Sequence, residues 1–418
     1  MLIAWATPFN YRSAIGKFSR AVAEELEHRG HEVAMVRLET GPELDLAPLA
    51  TKLPVVSAHE VDIDSFDEVV VNFGNHAPYH SQCLSILARR PPLGIFHDAE
   101  FRDFEWGLRQ RHRIDIPRLI GISDNGELPS EDELVAPEGR PLLGSLAAMC
   151  WGAVIHGPHY QRAVADYCAG PVETIPLCYP DPGNGAGSAK PTPGRRVTIF
   201  GVISEHKQPR RVMRAIAKLE KRLGPIELHL AGAIEEPYRA RLLQEAKELR
   251  IQPPCFHGYV SDENLQQLIE NSHAVCVLRF PVTEGGSASL ATALYRQRPL
   301  IIADIASYAM VPDDMAFKVS YSDDADDVAE ALSQIFDDAS GAEARATRAR
   351  HWAEGRLSAD SYVNALLPLL RKSHPSASLA RLARDLVPAI TNPSGQVIKS
   401  VVPDVSEVLE WMNSSQAP

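Results

Sequence analysis

The sequence predicts an α/β protein, two doubly wound, Rossmann-like domains facing each other across a cleft. Three observations carry this reading. At 418 residues the chain exceeds what one hydrophobic core usually supports. Short apolar runs alternate with amphipathic helical patterns along nearly the whole chain, as in parallel sheets with crossover helices. A stretch dense in Pro, Gly and Ser, Pro180 to Arg195, divides the chain into two halves built on one plan.

In the first half strands are expected at Leu2 to Ala6, Glu32 to Val36, Glu68 to Asn72, Leu93 to His97 and Gly152 to His156. Between the first two, Ile15, Phe18, Val22 and Leu26 recur at helical spacing and Gly30 supplies a C-terminal stop. The second half offers Val197 to Gly201, Ile226 to Ala231, Ala274 to Leu278, Pro299 to Ala303 and Phe317 to Ser320. Helical patterns such as Arg210 to Lys221 and Glu236 to Leu249 separate them. The resulting division is 1–180, a linker 181–195, 196–355, and a C-terminal helical region 356–418 expected to pack back toward the first domain. Within that tail, 378–386 and 405–412 have amphipathic patterns. Ligands of open α/β sheets bind beyond the carboxyl ends of the strands, which here means the cleft.

Composition removes several function classes. Hydrophobic residues make up 45% and charged ones 23%, which points to a globular chain rather than a disordered or fibrous one. A formal charge of −12 disfavours a nucleic-acid partner. Arg109, Arg111, His112 and Arg113 form the one compact basic cluster, read as a solvated face, with an anionic acceptor or peripheral membrane contact as the sharper alternative. The six cysteines contain no C-x-x-C pair, so no structural metal or disulfide framework is expected and all are read as buried thiols. No apolar run is long enough to span a bilayer and the N-terminus lacks a signal pattern, so a cytoplasmic location is expected.

Two strand-to-helix turns in the second half carry the chemistry. The first, FGVISEHKQPRRVMRAI, ends a strand at Gly201 and opens a helix, whose N-terminus favours anions. Lys207 sits at its mouth, with Arg210 and Arg211 nearby in sequence. A surface lysine at a helix start is more often simply solvated. The second turn, LRFPVTEGGSASLATALYRQRPLI, passes through a Gly-Gly-Ser loop. Gly285 and Gly286 allow close backbone approach to a ligand, and Ser287 and Ser289 supply hydroxyl and N–H donors. Glu284 either accepts hydrogen bonds from sugar hydroxyls or caps the following helix; the residues alone leave the two equal. Arg279 is placed to pair with phosphate or with Glu284.

In the first half VVVNFGNHAPYH and LGIFHDAEF put polar residues just past strand ends. His97, oriented by Asp98, is the candidate for contacting a sugar or relaying a proton, against the commoner reading of a satisfied structural histidine. Asn75, His76 and His80 share that ambiguity. Other signals lack context: Gly183, Gly185 and Gly187 lie in the linker, Asp62 and Asp64 precede a strand, and Asp323, Asp324, Asp326 and Asp327 fit helix capping.

Taken together the residues resemble retaining glycosyltransferases of GT-B architecture, group 1 (family 4), over roughly residues 1–370. The stations are Ser13-Ala14-Ile15-Gly16 with Gly30-His31-Glu32-Val33, Phe73-Gly74-Asn75 with His80, Phe96-His97-Asp98, Val154 to His156 with Ile175-Pro176-Leu177, Gly201 with Lys207, and Glu284 through Leu294. The resemblance implies transfer of a sugar from a nucleoside-diphosphate sugar to a saccharide, glycolipid or small-molecule acceptor, with retention and without a required metal or other cofactor. It implies catalytic roles for His97, Glu284 and Lys207. Gly201, Arg279, Gly285, Gly286 and Ser287 would join the donor site, and Tyr259 and Val260 would border the nucleobase. The motif arginine falls on Val202 and the second glutamate, which normally takes the ribose hydroxyls, on Thr292. Two other classes therefore stand beside the transferase: a non-catalytic binding or scaffold protein that kept the fold, and a sugar-nucleotide epimerase.

Overall fold

A computed structural model of the protein describes residues 1–112, 141–181 and 194–371, with the side chains of all but 109–112 and 141. Gly183, Gly185, Gly187, Arg113 and the two tail helices expected at 378–386 and 405–412 lie outside the described residues, as does most of the expected linker.

Among the described residues the first half forms a seven-stranded sheet and the second a six-stranded one, every pairing parallel. Strands β1 (Leu2–Thr7), β2 (Glu32–Arg37), β3 (Val55–Ser57), β4 (Glu68–Phe73), β5 (Leu93–Phe96), β6 (Gly152–Ile155) and β7 (Val172–Thr174) are arranged β3-β2-β1-β4-β5-β6-β7. The second sheet, β8 (Arg196–Phe200), β9 (Glu227–Ala231), β10 (Cys255–Gly258), β11 (Ala274–Val277), β12 (Leu300–Ala303) and β13 (Phe317–Val319), runs β10-β9-β8-β11-β12-β13. Every strand read from an apolar run is present. Edge strands β3, β7 and β10 were not read from apolar runs, because short segments that are only partly buried or exposed leave none to see.

Strand order reverses between β1 and β4 and again between β8 and β11. At such points the connections leave in opposite directions and open a crevice beyond the strand ends. The central strands are apolar on both faces, as helices on both sides require: β1, β4, β6, β8 and β11 are buried along almost their whole length.

Helix Ala14–His28 follows the local rules. Ser13 caps it by accepting from the Gly16 amide, Phe18, Val22 and Leu26 form its buried face, and Gly30 follows with φ of +83°. Helix Pro209–Leu223 starts on proline, whose missing N–H costs nothing at that position, and ends before Gly224 at φ +75°.

The last described helix, Ala359–Leu370, lies in the core of the first sheet rather than the second. Tyr362 packs on Phe18 with ring centroids 5.1 Å apart, and Arg29 binds Asp360 at 2.6 Å. The chain thus crosses back and fastens this helix to helix Ala14–His28.

Two readings are corrected here. Five cysteines are buried but Cys255, at an edge strand, is exposed. The Asp323–Asp327 cluster does more than cap: Asp327 holds the fully buried Arg211 at 2.8 Å, Asp323 binds Arg214 at 2.7 Å, and Asp326 pairs with Lys218. Helix Asp326–Asp337 is therefore stitched to helix Pro209–Leu223 by charge. Asp62 caps the short turn Ile63–Ser65 by accepting from the Asp64 amide, a structural role.

Candidate active site

The two turns of the second half meet. Gly201 ends β8 in the left-handed region, φ +94°, which a side chain rarely adopts. The chain then makes the short turn Glu205–Lys207 and brings the Lys207 ammonium back over it, so that a Cβ at Gly201 would lie 3.1 Å from Lys207 Nζ. From the other turn, Ser289 Oγ accepts from Lys207 Nζ at 3.2 Å, and the Phe280 amide donates to the His206 carbonyl at 2.8 Å. Lys207 is buried, which pushes its pKa down to about 8 against the pull of Glu284, with Arg279 pushing the same way as burial. A desolvated ammonium on one serine hydroxyl, beside the N-terminus of helix Ala288–Tyr295, attracts an anion.

Glu284 is not the cap of that helix. Ser287 is, accepting from the Leu290 amide at 3.3 Å. The Glu284 carboxylate instead binds Arg279 Nη2 at 2.9 Å and accepts from the Tyr308 hydroxyl. Burial drives Tyr308 well above the ordinary phenol range and Glu284 adds to this, so Tyr308 stays a donor. Arg279 is thereby committed to Glu284. Arg210 pairs with Glu205 and Glu245, and Arg211 is buried on Asp327 and Ser320, so both guanidiniums are committed to partners of their own.

The glycine pair is approached by protein. A Cβ at Gly285 would strike the Tyr160 hydroxyl, and one at Gly286 would lie 2.8 Å from Leu177 Cβ and 2.9 Å from His156 Cβ. The Gly285 amide donates to the His97 carbonyl at 2.8 Å, the Ala99 amide to Thr283 O at 2.8 Å, and Asp98 and Glu284 form a β-bridge. On the side where a Cβ would stand, these glycines therefore seat the second half against strand ends of the first.

His97 is also held differently from expectation. Its Nε2 meets Asn72 Oδ1 at 2.9 Å and its Nδ1 meets His156 Nε2 at 3.1 Å, so both ring nitrogens are engaged inside the first half. Asp98 turns away, accepting from the Asn75 amide at 2.7 Å, and burial raises its pKa to about 7. Asn75 holds the Phe104 amide and His80 the Asn72 carbonyl, structural tasks for both. His76 precedes the short helix Ala77–His80 and its ring meets Tyr79.

The remaining candidates are placed as follows. Tyr259, 75% exposed, lies just past β10 with Val260 beside it, and Val202, 69% exposed, follows Gly201. Thr292 Oγ1 bonds back to the Ala288 carbonyl at 2.8 Å, within its own helix. Arg109, Arg111 and His112 fall on helix Arg102–His112, their side chains outside the described set. Sequence reasoning missed Asn72, Tyr160 and Tyr308. Asn72 carried a signal, a polar residue inside an apolar strand; the two tyrosines, away from the turns, carried none. Among the described residues no group of three or more His, Cys, Asp or Glu is arranged to hold a metal, and no helix is long and apolar enough to cross a membrane.

Comparison with known proteins agrees with this architecture. Residues 186–352 match the family model described as glycosyl transferases group 1. No curated protein matches in sequence. Among solved structures, HepE of Anabaena in complex with UDP-glucose superposes with a TM-score of 0.60 at 13% identity, over 88% of this chain and 99% of that one. Sucrose-phosphate synthase from Thermosynechococcus elongatus gives 0.58 at 13% identity over 93% and 100%. An alpha,alpha-trehalose-phosphate synthase from Burkholderia vietnamiensis gives 0.58 at 13% over 88% and 98%. At that identity the structures speak for the fold, two Rossmann-like units of GT-B type. The matched domain makes the chain a glycosyltransferase.

Proposed function

We propose that this glycosyltransferase binds the diphosphate of a nucleoside-diphosphate sugar between Lys207, Ser289 and the N-terminus of helix Ala288–Tyr295, and transfers the sugar with retention and without a required metal. The observation that carries the reading is the convergence of the two turns on one buried ammonium, Lys207 Nζ on Ser289 Oγ at 3.2 Å. An ammonium and a helix terminus fixed in advance stabilise the charge that grows on a leaving diphosphate, and need no reorganisation during the reaction. Glu284, fixed by Tyr308 and Arg279, presents its carboxylate to the donor sugar's hydroxyls. His97 contributes by its place at the border of the reacting centre rather than by relaying a proton, since both its ring nitrogens are bound. Tyr259 and Val260, beside the exposed end of β10, take the nucleobase side.

UDP-glucose, which the Anabaena structure holds, is the first probe. A thermal-shift panel of UDP, GDP, ADP and TDP sugars is expected to show one that raises Tm. Lys207→Ala is expected to weaken it by roughly 10- to 100-fold, the scale of a hydrogen bond to a charged group. No shift with any donor would contradict the proposal.

A second reading has one observation in its favour: Thr292 closes on its own helix, so no carboxylate stands where the family places its ribose partner. Donor binding without turnover across a broad acceptor set would identify a binding protein. Donor isomerisation without acceptor would identify an epimerase. The acceptor is proposed to be a saccharide, glycolipid or small molecule met in the cytoplasm, on the first half's side of the cleft.

A further inference from the structure

Behind the Gly285-Gly286 loop, the four nitrogens of two imidazoles form one hydrogen-bonded row whose two ends are both acceptors. At one end His156 Nδ1 lies 3.0 Å from the Ile175 carbonyl oxygen; at the other His97 Nε2 lies 2.9 Å from Asn72 Oδ1. In the middle His156 Nε2 and His97 Nδ1 are 3.1 Å apart. The Asn72 amide cannot be turned over without cost, because its Nδ2 donates to the Ala6 carbonyl at 3.0 Å and reversal would set two oxygens against each other. Each of the three links needs one proton, and two neutral imidazoles bring only two. A neutral pair must therefore leave lone pairs facing at one of the three links: His156 Nδ1 against the Ile175 oxygen, the two ring nitrogens against each other, or His97 Nε2 against Asn72 Oδ1.

We propose that the pair holds three protons and one positive charge, and that His156, acting through His97, is a positioning residue of the donor site. Burial works against the charge and pushes both imidazoles down, His156 to about 4 even with the Ile175 carbonyl pulling it up, while His156 and His80 push His97 down further. Set against burial are the complete row of hydrogen bonds and the Phe18 ring. That ring lies 4.9 Å from His97 and 5.7 Å from His156, within the range at which an aromatic ring attracts a cation. The other titratable groups around the pair are His80 on the Asn72 carbonyl, Tyr160 whose hydroxyl oxygen accepts from the His156 amide, and Tyr362 facing the His156 ring. Asp98, next to His97 in the chain, is bridged to Glu284.

The pair acts on the donor site through backbone. The His97 carbonyl holds the Gly285 amide, and His156 Cβ closes the space above Gly286, so the row fixes the loop from which Ser287 caps helix Ala288–Tyr295. This kinetic consequence rests on the donor reading given above; the proton count does not.

The test is a count of protonated ring nitrogens by nitrogen-15 NMR in full-length protein labelled at histidine, at pH 7 without donor, the pair assigned by His156→Gln and His97→Gln. Three protonated nitrogens of the four are expected, and two would overturn the proposal. Where those variants fail to fold, Phe18→Leu serves: loss of the ring is expected to lower the pH at which the third proton leaves, and an unmoved midpoint counts against the charge. His156→Gln is also expected to raise the donor KM about tenfold while kcat stays within about twofold, the pattern of lost donor positioning. A lowered Tm with an unchanged donor KM would overturn the positioning role. Absence of any donor binding by the unaltered protein would sink the donor reading alone and leave the proton count standing.

Discussion

Lys207 is a cation in surroundings that resist charge, and its behaviour with pH follows from that. Its pKa in the folded protein, about 8, lies below its ordinary 10.5. Between these values the unfolded chain binds more protons, so this residue makes stability increase as pH rises from about 8 toward 10.5. Donor affinity should do the opposite. In the proposed donor site the charged form would hold the diphosphate, so binding is expected to weaken as pH rises through about 8, by up to tenfold per unit beyond it, and calorimetry across pH 7–9.5 checks this. In Lys207→Ala that dependence should vanish. At this scale the sequence revealed residue types and missed partners. It singled out Lys207, Ser289 and Glu284, because a strand, a turn and a helix start within a few residues can be read locally. It gave Asp98 to His97, whereas Asn72 and His156, distant in the chain, are what the ring meets. Side-chain partners across a parallel sheet depend on strand order, which local patterns do not contain.

At the scale of elements, helix Pro209–Leu223 and helix Asp326–Asp337 are joined by a buried charge, Arg211 on Asp327. Removing the carboxylate leaves the buried guanidinium on neutral acceptors alone, the Asp324 and Ser320 carbonyls and the Gln208 amide. Asp327→Ala is expected to cost about 3–5 kcal/mol in denaturant unfolding, with little effect on donor KM relative to its effect on stability. Burial pushes the Asp327 carboxyl up, but Ser320 and Arg211 outweigh it and hold the carboxyl below its ordinary value. Stability from this pair is therefore complete above the ordinary aspartate pKa and lost as pH falls through the folded one. The Gly-Gly loop gives a second prediction. Gly285→Ala would push a methyl group into the Tyr160 hydroxyl, so a loss of about 1–3 kcal/mol is expected, with donor KM rising alongside it. Unchanged stability and KM in this variant would show that the seat is looser than the contact implies. The glycines were visible in the sequence as a demand for close approach. Which body approaches was not, because a ligand and a neighbouring strand end impose the same requirement on a backbone.

For the whole molecule, the interior strands were legible because a strand covered by helices on both faces must be apolar along its length, as β4 and β11 are. Edge strands β3, β7 and β10 are half-covered and left no such trace. The two sheets are brought together by backbone links from Gly285 to His97 and from Ala99 to Thr283, and the last described helix returns to pack on Phe18. Strand-order reversals at β1/β4 and β8/β11 place the candidate site at the crevice beyond those strand ends, with Lys207 on one turn and the Gly-Ser loop on the other. The most direct measurement is a crystal structure of the full chain with the nucleoside diphosphate that most raises its Tm. The account predicts a phosphate oxygen within about 3 Å of Lys207 Nζ and the amides at the start of helix Ala288–Tyr295 turned toward the same diphosphate. A nucleotide bound elsewhere, or a diphosphate that leaves Lys207 on Ser289 alone, would contradict it.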